Sequence, residues 1–133
     1  MAVITVTAAN VRPATNRARP ATYTCSEAIT AGQAVHYDAT LETVRKANTT
    51  DYTNCVGIAL SNTTTAGDLV LVQTSGAYDI GGTALEGQMY YLNGTAGSLG
   101  LFSDIGSEGV IQVMYATSAT TGVIAIKDTT VTL

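Results

Sequence analysis

A strand-turn-strand passage in the middle of the chain returns, in weaker form, before the C-terminus. Its first limb, Cys55-Val56-Gly57-Ile58-Ala59-Leu60-Ser61, alternates Val56, Ile58 and Leu60 with Gly57, Ala59 and Ser61, the period-two pattern of a strand with one face on a core. Its second limb, Asp68 to Gly76, runs four apolar residues together from Leu69 to Val72, which predicts a strand covered on both sides. Asn62-Thr63-Thr64-Thr65-Ala66-Gly67 between them supplies turn formers, with Gly67 the expected left-handed position. In the C-terminal copy, Val110 to Ser118 stands for the first limb and Gly122 to Lys127 for Gly67 to Val72.

Earlier segments recur too. Ala84-Leu85-Glu86-Gly87-Gln88-Met89-Tyr90-Tyr91-Leu92 echoes Ile29 to Tyr37, with a Gly-Gln step in both, and sets Gly87 55 positions after Gly32. Gly122 follows Gly67 by the same distance, whereas matching Ala59 and Ser61 to Ala116 and Ser118 gives 57. That two-residue slide keeps each side chain on its own face. Two tandem β units predict one all-β domain, a small β-barrel or jelly-roll-like sandwich whose pseudo-repeats, about 23–76 and 77–133, cover each other's apolar faces. Within the first, Ala34-Val35-His36-Tyr37 and Leu41 to Lys46 are expected to pair across Asp38-Ala39-Thr40.

Composition supports this reading. Hydrophobic residues make up 46% and charged ones 12% of 133 residues, and strand-favouring Val, Ile, Thr and Tyr interrupted by Gly argue against helix and disorder. The aliphatic run Leu69–Val72 is far short of the roughly 20 residues of a membrane-spanning helix. The N-terminus lacks an apolar signal core and cleavage site, so a cytosolic origin rather than export is expected.

Charge is unevenly placed. The net value is −4, yet residues 1–22 hold Arg12, Arg17 and Arg19 with no acid, leaving −7 on the rest. Pro13 and Pro20 resist helix there, and Ala2 to Thr7 alternates like a short strand. The expectation is an extended basic N-terminal arm, 1–22, on a single β domain, 23–133. Arginine suits paired carboxylates, so Arg12, Arg17 and Arg19 are the candidate partner-binding residues, docking on an acidic protein surface. Three arginines with only Tyr23 nearby are too thin a footprint for nucleic acid.

No catalytic, cofactor-binding or metal-binding residues are nominated, and no enzyme is expected. Cys25 and Cys55 lack Cys-x-x-Cys spacing and the chain has one His, which cannot supply a recognisable zinc set. Buried thiols are expected, with a disulfide between them left open. A Cys-His nucleophile using His36 has no local mark of an activated thiolate, and His36, between Val35 and Tyr37, reads as a half-exposed wall residue. Asp38 with Glu42, and Asp104 with Glu108, match no calcium loop or glycosidase spacing. Ser75-Gly76 lacks a nucleophile elbow and Gly81-Gly82 a phosphate-loop Lys. The formal sequons at Asn48, Asn62 and Asn93 read as markers of exposed loops.

The series Ile29 to Val35, Val56 to Leu60, Gly67 to Gly76 and Leu85 to Leu92 resembles head decoration (capsid cement) proteins of tailed bacteriophages, over roughly residues 23–127. The resemblance implies a structural virion protein on the outer capsid surface, a homo-oligomer with a trimer favoured and a dimer compatible. It would clamp neighbouring major capsid proteins after expansion, with no cofactor and no membrane partner. The alternative is a carbohydrate-binding β module of a phage fibre or surface adhesion protein. That reading is poorly served by a chain with no Trp and one Phe.

Overall fold

The computed structural model describes residues 4–14, 20–93, 95–105 and 109–132, leaving aside the side chains of 104 and 130–132. Its strands are β1 (Arg12–Pro13), β2 (Pro20–Cys25), β3 (Ala34–Asp38), β4 (Thr43–Lys46), β5 (Cys55–Ala59), β6 (Leu69–Gln73), β7 (Gly76–Asp79), β8 (Met89–Leu92), β9 (Leu99–Gly100), β10 (Gly109–Ala116) and β11 (Thr121–Thr132). The helical pieces among the described residues are two three-residue 3-10 turns, Ala8–Asn10 and Phe102–Asp104. The protein is all-β, as its composition predicts.

Strands β2-β4-β3-β5-β6 close into a barrel, and β1-β7-β11-β10-β8-β9 form a six-stranded sheet. The two share one plan. Read as β4-β3-β5-β6-β2, the barrel has the same neighbour order as β9-β8-β10-β11-β7 in the sheet. Even an irregularity is repeated. Val56 is skipped between the pairs Val35↔Gly57 and His36↔Cys55, and Val113 is skipped between Met114↔Tyr90 and Gln112↔Tyr91. Such bulges bend a strand and increase its twist, so both halves curl at the same point.

This register decides between the two spacings seen in the sequence. Val56 and Val113 follow the longer one, as do Ala59 and Ala116, while Gly32 and Gly87 keep the shorter. The match of Gly67 with Gly122 is corrected: Val72 stands opposite Ala59 as Gly122 stands opposite Ala116. The cause is loop length, 60–68 joining β5 to β6 but only 117–120 joining β10 to β11. A Cβ at Gly122 would lie 2.6 Å from the sulfur of the buried Met114, which would have to shift to admit it.

Four short turns launch the strands. In Thr30-Ala31-Gly32-Gln33, Thr65-Ala66-Gly67-Asp68, Leu85-Glu86-Gly87-Gln88 and Thr95-Ala96-Gly97-Ser98 the fourth N–H donates to the first carbonyl. The third residue is a glycine at positive φ, between 80° and 97°. This is the type II pattern, and β3, β6, β8 and β9 each begin at the next residue.

The core has two parts. Cys25, Ile29, Val35, Val44, Ala59, Val70 and Val72 fill the barrel. A larger cluster joins the barrel's outer face (Ala34, Ala47, Cys55, Ile58) to the inner face of the sheet, where Tyr78, Tyr90, Leu92, Val113 and Met114 lie. The concave side of the second half is thus filled by the wall of the first.

The N-terminal segment differs from the expected arm. The barrel is closed by parallel pairing of β2 with β4, and residues 4–14 occupy the corresponding seam between β9 and β7. Ile4 N–H donates to Leu99 O at 3.1 Å, Thr7 N–H to Gly81 O at 2.6 Å and Ala14 N–H to Ala77 O at 3.0 Å, and β1 pairs with β7. Ile4 and Val11 are 8% and 6% exposed. A Cβ on Gly82 would run into the Thr5 carbonyl, and one on Gly81 would lie 2.7 Å from that of Thr7. Residues 4–7 are strapped down without forming the predicted strand, residues 1–3 being outside the description. Nor does the body begin at Tyr23, since Pro20, Ala21 and Thr22 already pair with Gln73, Val72 and Leu71. The segment's apolar residues, Ile4 and Val11, explain the outcome: the uncovered seam of the second half offers them burial.

Candidate functional site

Two places gather the chemically versatile side chains, and a third is a feature of the surface. The first is the meeting of β3 and β5, where His36 is paired in register with Cys55. Proximity does not make a nucleophile here. The Cys55 thiol is buried, and desolvation pushes its pKa up to about 12, the opposite of an activated thiolate. His36 Nδ1 accepts the Asn54 backbone N–H at 3.0 Å. Cys25 and Cys55 are both free and buried, in separate parts of the core.

Around His36 lies the second cluster, on the outer side of the β3-β4 hairpin. The His36 and Tyr52 rings are 5.4 Å apart, and the Arg45 guanidinium sits 3.7 Å over the Tyr52 ring. Arg45 Nε lies 3.7 Å from Glu27 Oε2, which accepts the Lys46 backbone N–H at 2.9 Å. Burial lowers the His36 pKa, Asp38 opposes this, and Arg45 adds to it. His36, Tyr52, Arg45 and Glu27 each contact a neighbour within the cluster, although Arg45 Nε, buried, meets Glu27 only at ion-pair distance without a hydrogen bond, so the cluster braces the hairpin. Asp38 is equally local: Oδ1 accepts the N–H groups of Thr40 and Leu41, an Asx-type turn rather than half of a carboxylate pair. Glu108 lies outside the described residues, as does the Asp104 side chain.

The sequon asparagines are staples, and Asn93 is buried, against the expectation of exposed loops. Asn48 Oδ1 accepts three backbone N–H groups, from Thr50, Asp51 and Tyr52, while Asn62 Oδ1 accepts that of Ala31 and Asn93 Oδ1 that of Thr95.

Of the three arginines nominated, Arg17 and Arg19 lie outside the described residues. Arg12, on β1, is exposed and 3.5 Å from Asp79. It borders an open polar groove with Asn10, Gly82 and Thr120. A cavity of about 170 Å³ lies beneath the N-terminal strap, lined in part by Ile4, Val6, Gln33, Tyr78 and Leu99. Burial raises the Tyr78 pKa, keeping its hydroxyl neutral. Among the described residues, no group of three His, Cys, Asp or Glu is placed to hold a metal.

The third place is apolar, and the sequence reading missed it. Leu69 to Val72 was expected to be covered on both sides, yet the burial of β6 alternates. Val70 and Val72 are fully buried, while Leu69 is 68% and Leu71 38% exposed. The barrel interior takes Val70 and Val72, while on the outer face of β6 burial reaches only Gln73. Leu69 and Leu71 face outward beside their partners Thr24 and Thr22 on β2, and Ser61 Oγ accepts the Leu71 N–H at 2.9 Å. The stripe is uncharged and free of an open strand edge. On the second sheet, Leu85 and Tyr115 are also exposed.

Comparison with protein-family models, curated proteins and solved structures matched none of them. No helix among the described residues is long and apolar enough to cross a membrane.

Proposed function

We propose that the protein is a structural adhesion module of a phage virion. It binds the outer surface of an expanded capsid and holds neighbouring major capsid proteins together. The observation that carries this reading is the Leu69–Leu71 stripe, two large apolar side chains held outward on a closed barrel. Contiguous exposed apolar surface marks interaction sites. A rigid barrel presents it without an ordering cost at the moment of binding. The chain's strand-and-turn texture, similar to that of capsid cement proteins, supplies the nature of the partner.

The physics of such a role is simple. A protein that binds only the expanded lattice stabilises it by mass action. Repetition over many equivalent sites multiplies weak individual contacts. Uncharged contact at the stripe also makes attachment tolerant of salt, since screening acts on charges.

The test is co-sedimentation of purified protein with expanded and unexpanded capsids, comparing wild type with Leu69→Glu and Leu71→Glu. Saturable binding to expanded capsids alone, weakened about ten-fold or more by either substitution, is expected. Absence of binding to expanded capsids, or equal binding by both variants, overturns the reading.

A further inference from the structure

The two halves share one plan, yet the central outer row is fully buried in only one of them. In the barrel, Ala34, Ile58 and Gln73 form a row across β3, β5 and β6, each fully buried. Ala34 and Ile58 belong to the cluster shared with the second half. Gln73 Nε2 donates to Ser75 O and Ala77 O at its start. The same register in the second sheet puts Met89, Tyr115 and Val123 in a row across β8, β10 and β11. These three are larger or more apolar than their counterparts, yet among the described residues Tyr115 is exposed and Met89 and Val123 are only half-buried. Tyr115 is 40% exposed, with Leu85 at 54% beside the start of β8.

We infer that this outer face of the second sheet pairs with the same face of a second copy of the chain, across a two-fold axis. The row that the first half buries completely is only partly buried in the second, and a second copy supplies a matching sheet to complete it. Sheets packed face to face bury such rows, and a two-fold interface uses one self-complementary patch twice. The charges agree. Lys127 is the register partner of Gln112 at one corner of the face, and Glu86, in the turn before β8, lies at the opposite corner. Both are exposed. A two-fold axis in the plane of the face brings Lys127 of each copy against Glu86 of the other, closing the apolar row between two ion pairs.

This inference stands apart from the capsid reading, because it concerns the purified protein alone. Sedimentation velocity over a range of concentrations is expected to show a dimer. Tyr115→Glu and Val123→Glu should each raise its dissociation constant about ten-fold or more. Lys127→Glu and Glu86→Lys, both at exposed positions, should each weaken the dimer, and together restore it. Circular dichroism melts check that the variants fold. A monomer at every concentration overturns the proposal, as does a trimer, or a dimer indifferent to all four substitutions. Failure to bind capsids, with the dimer intact, counts against the proposed function and leaves this pairing standing.

Discussion

Glu42 and Gly97 occupy the same place in the two halves, each just before the strand that pairs with β3 or β8, and both have left-handed backbones, φ 56° and 80°. The second half uses the residue suited to that conformation; the first does not. Among the described residues, Glu42 is the only non-glycine at positive φ. Left-handed backbone costs an L-residue about 1–2 kcal/mol, while glycine's unfolded-state entropy takes back about 0.5–1 kcal/mol. Glu42→Gly is therefore expected to stabilise the fold by about 0.5–1 kcal/mol, raising the melting midpoint by a few degrees. Gly97→Ala should do the reverse and more, because its Cβ would also lie 3.0 Å from that of Gln33. Chemical denaturation of the two variants checks this; a destabilised Glu42→Gly protein would show that the side chain matters more than the backbone.

The strap of residues 4–14 yields a second prediction. Ile4 and Val11 are buried against the second half, and burial of such side chains contributes about 1.5–3 kcal/mol each. Removing residues 1–14 should lower stability by about 3 kcal/mol or more, and Ile4→Ala by about 2 kcal/mol. Gly82→Ala should loosen the strap without deleting it, since the new Cβ meets the Thr5 carbonyl. Hydrogen exchange is the sharper readout. Amides of β7 and β9 should lose protection while those of β2 and β6 keep it. Uniform loss, or none, would contradict a strap that closes only the second half.

These outcomes mark what could be read in the chain and what could not. Duplication was legible because period-two alternation and Gly-Gln steps survive in both copies, and Gly67 was correctly read as left-handed. The shared type II turns were legible in principle, since Thr-Ala-Gly occurs before Gln33, Asp68 and Ser98. The two-sided burial expected for Leu69–Val72 failed because a run of four apolar residues does not say whether both sheet faces are covered. That depends on barrel closure, which is set by the distant pairing of Thr24 with Thr43 and Cys25 with Val44. The arm failed for a related reason. Arginine and proline content describes a segment's local preference, while its burial is decided by a seam between β9 and β7 that no local pattern announces. The row Met89-Tyr115-Val123 needs the strand register before its residues can be seen as neighbours.

Cys55 provides a third test. With its thiol pKa pushed up to about 12, thiolate is scarce at pH 7–9 in the native state, and the thiol is also screened by the core. Labelling by a disulfide reagent should be slow, accelerating only under conditions that open the cluster around Ile58 and Tyr78. Cys55→Ser should lower stability by about 1–3 kcal/mol by burying a more polar group. Fast stoichiometric modification of native protein at Cys55, identified by peptide mapping, would contradict the buried assignment.

His36 sets the last prediction, because its neutral form is the one the fold requires. Nδ1 accepts the Asn54 N–H, which a protonated ring cannot do, and burial with the nearby Arg45 lowers its pKa against the pull of Asp38. The unfolded chain takes up this proton near the ordinary value of 6.5, before the native protein does. Below that pH the unfolded state binds more protons, so His36 favours unfolding progressively as pH falls toward its native pKa. Above 6.5 its contribution is constant. Carboxylates titrate lower and would blur the effect, so the comparison is with His36→Gln: the difference in stability between the two proteins should change between pH 6.5 and the native midpoint, then level off. The His36 ring protons, followed by NMR, should give that midpoint directly. A midpoint at or above 6.5 would mean that Asp38 outweighs burial, and the Asn54 hydrogen bond would then be too weak to hold the neutral ring.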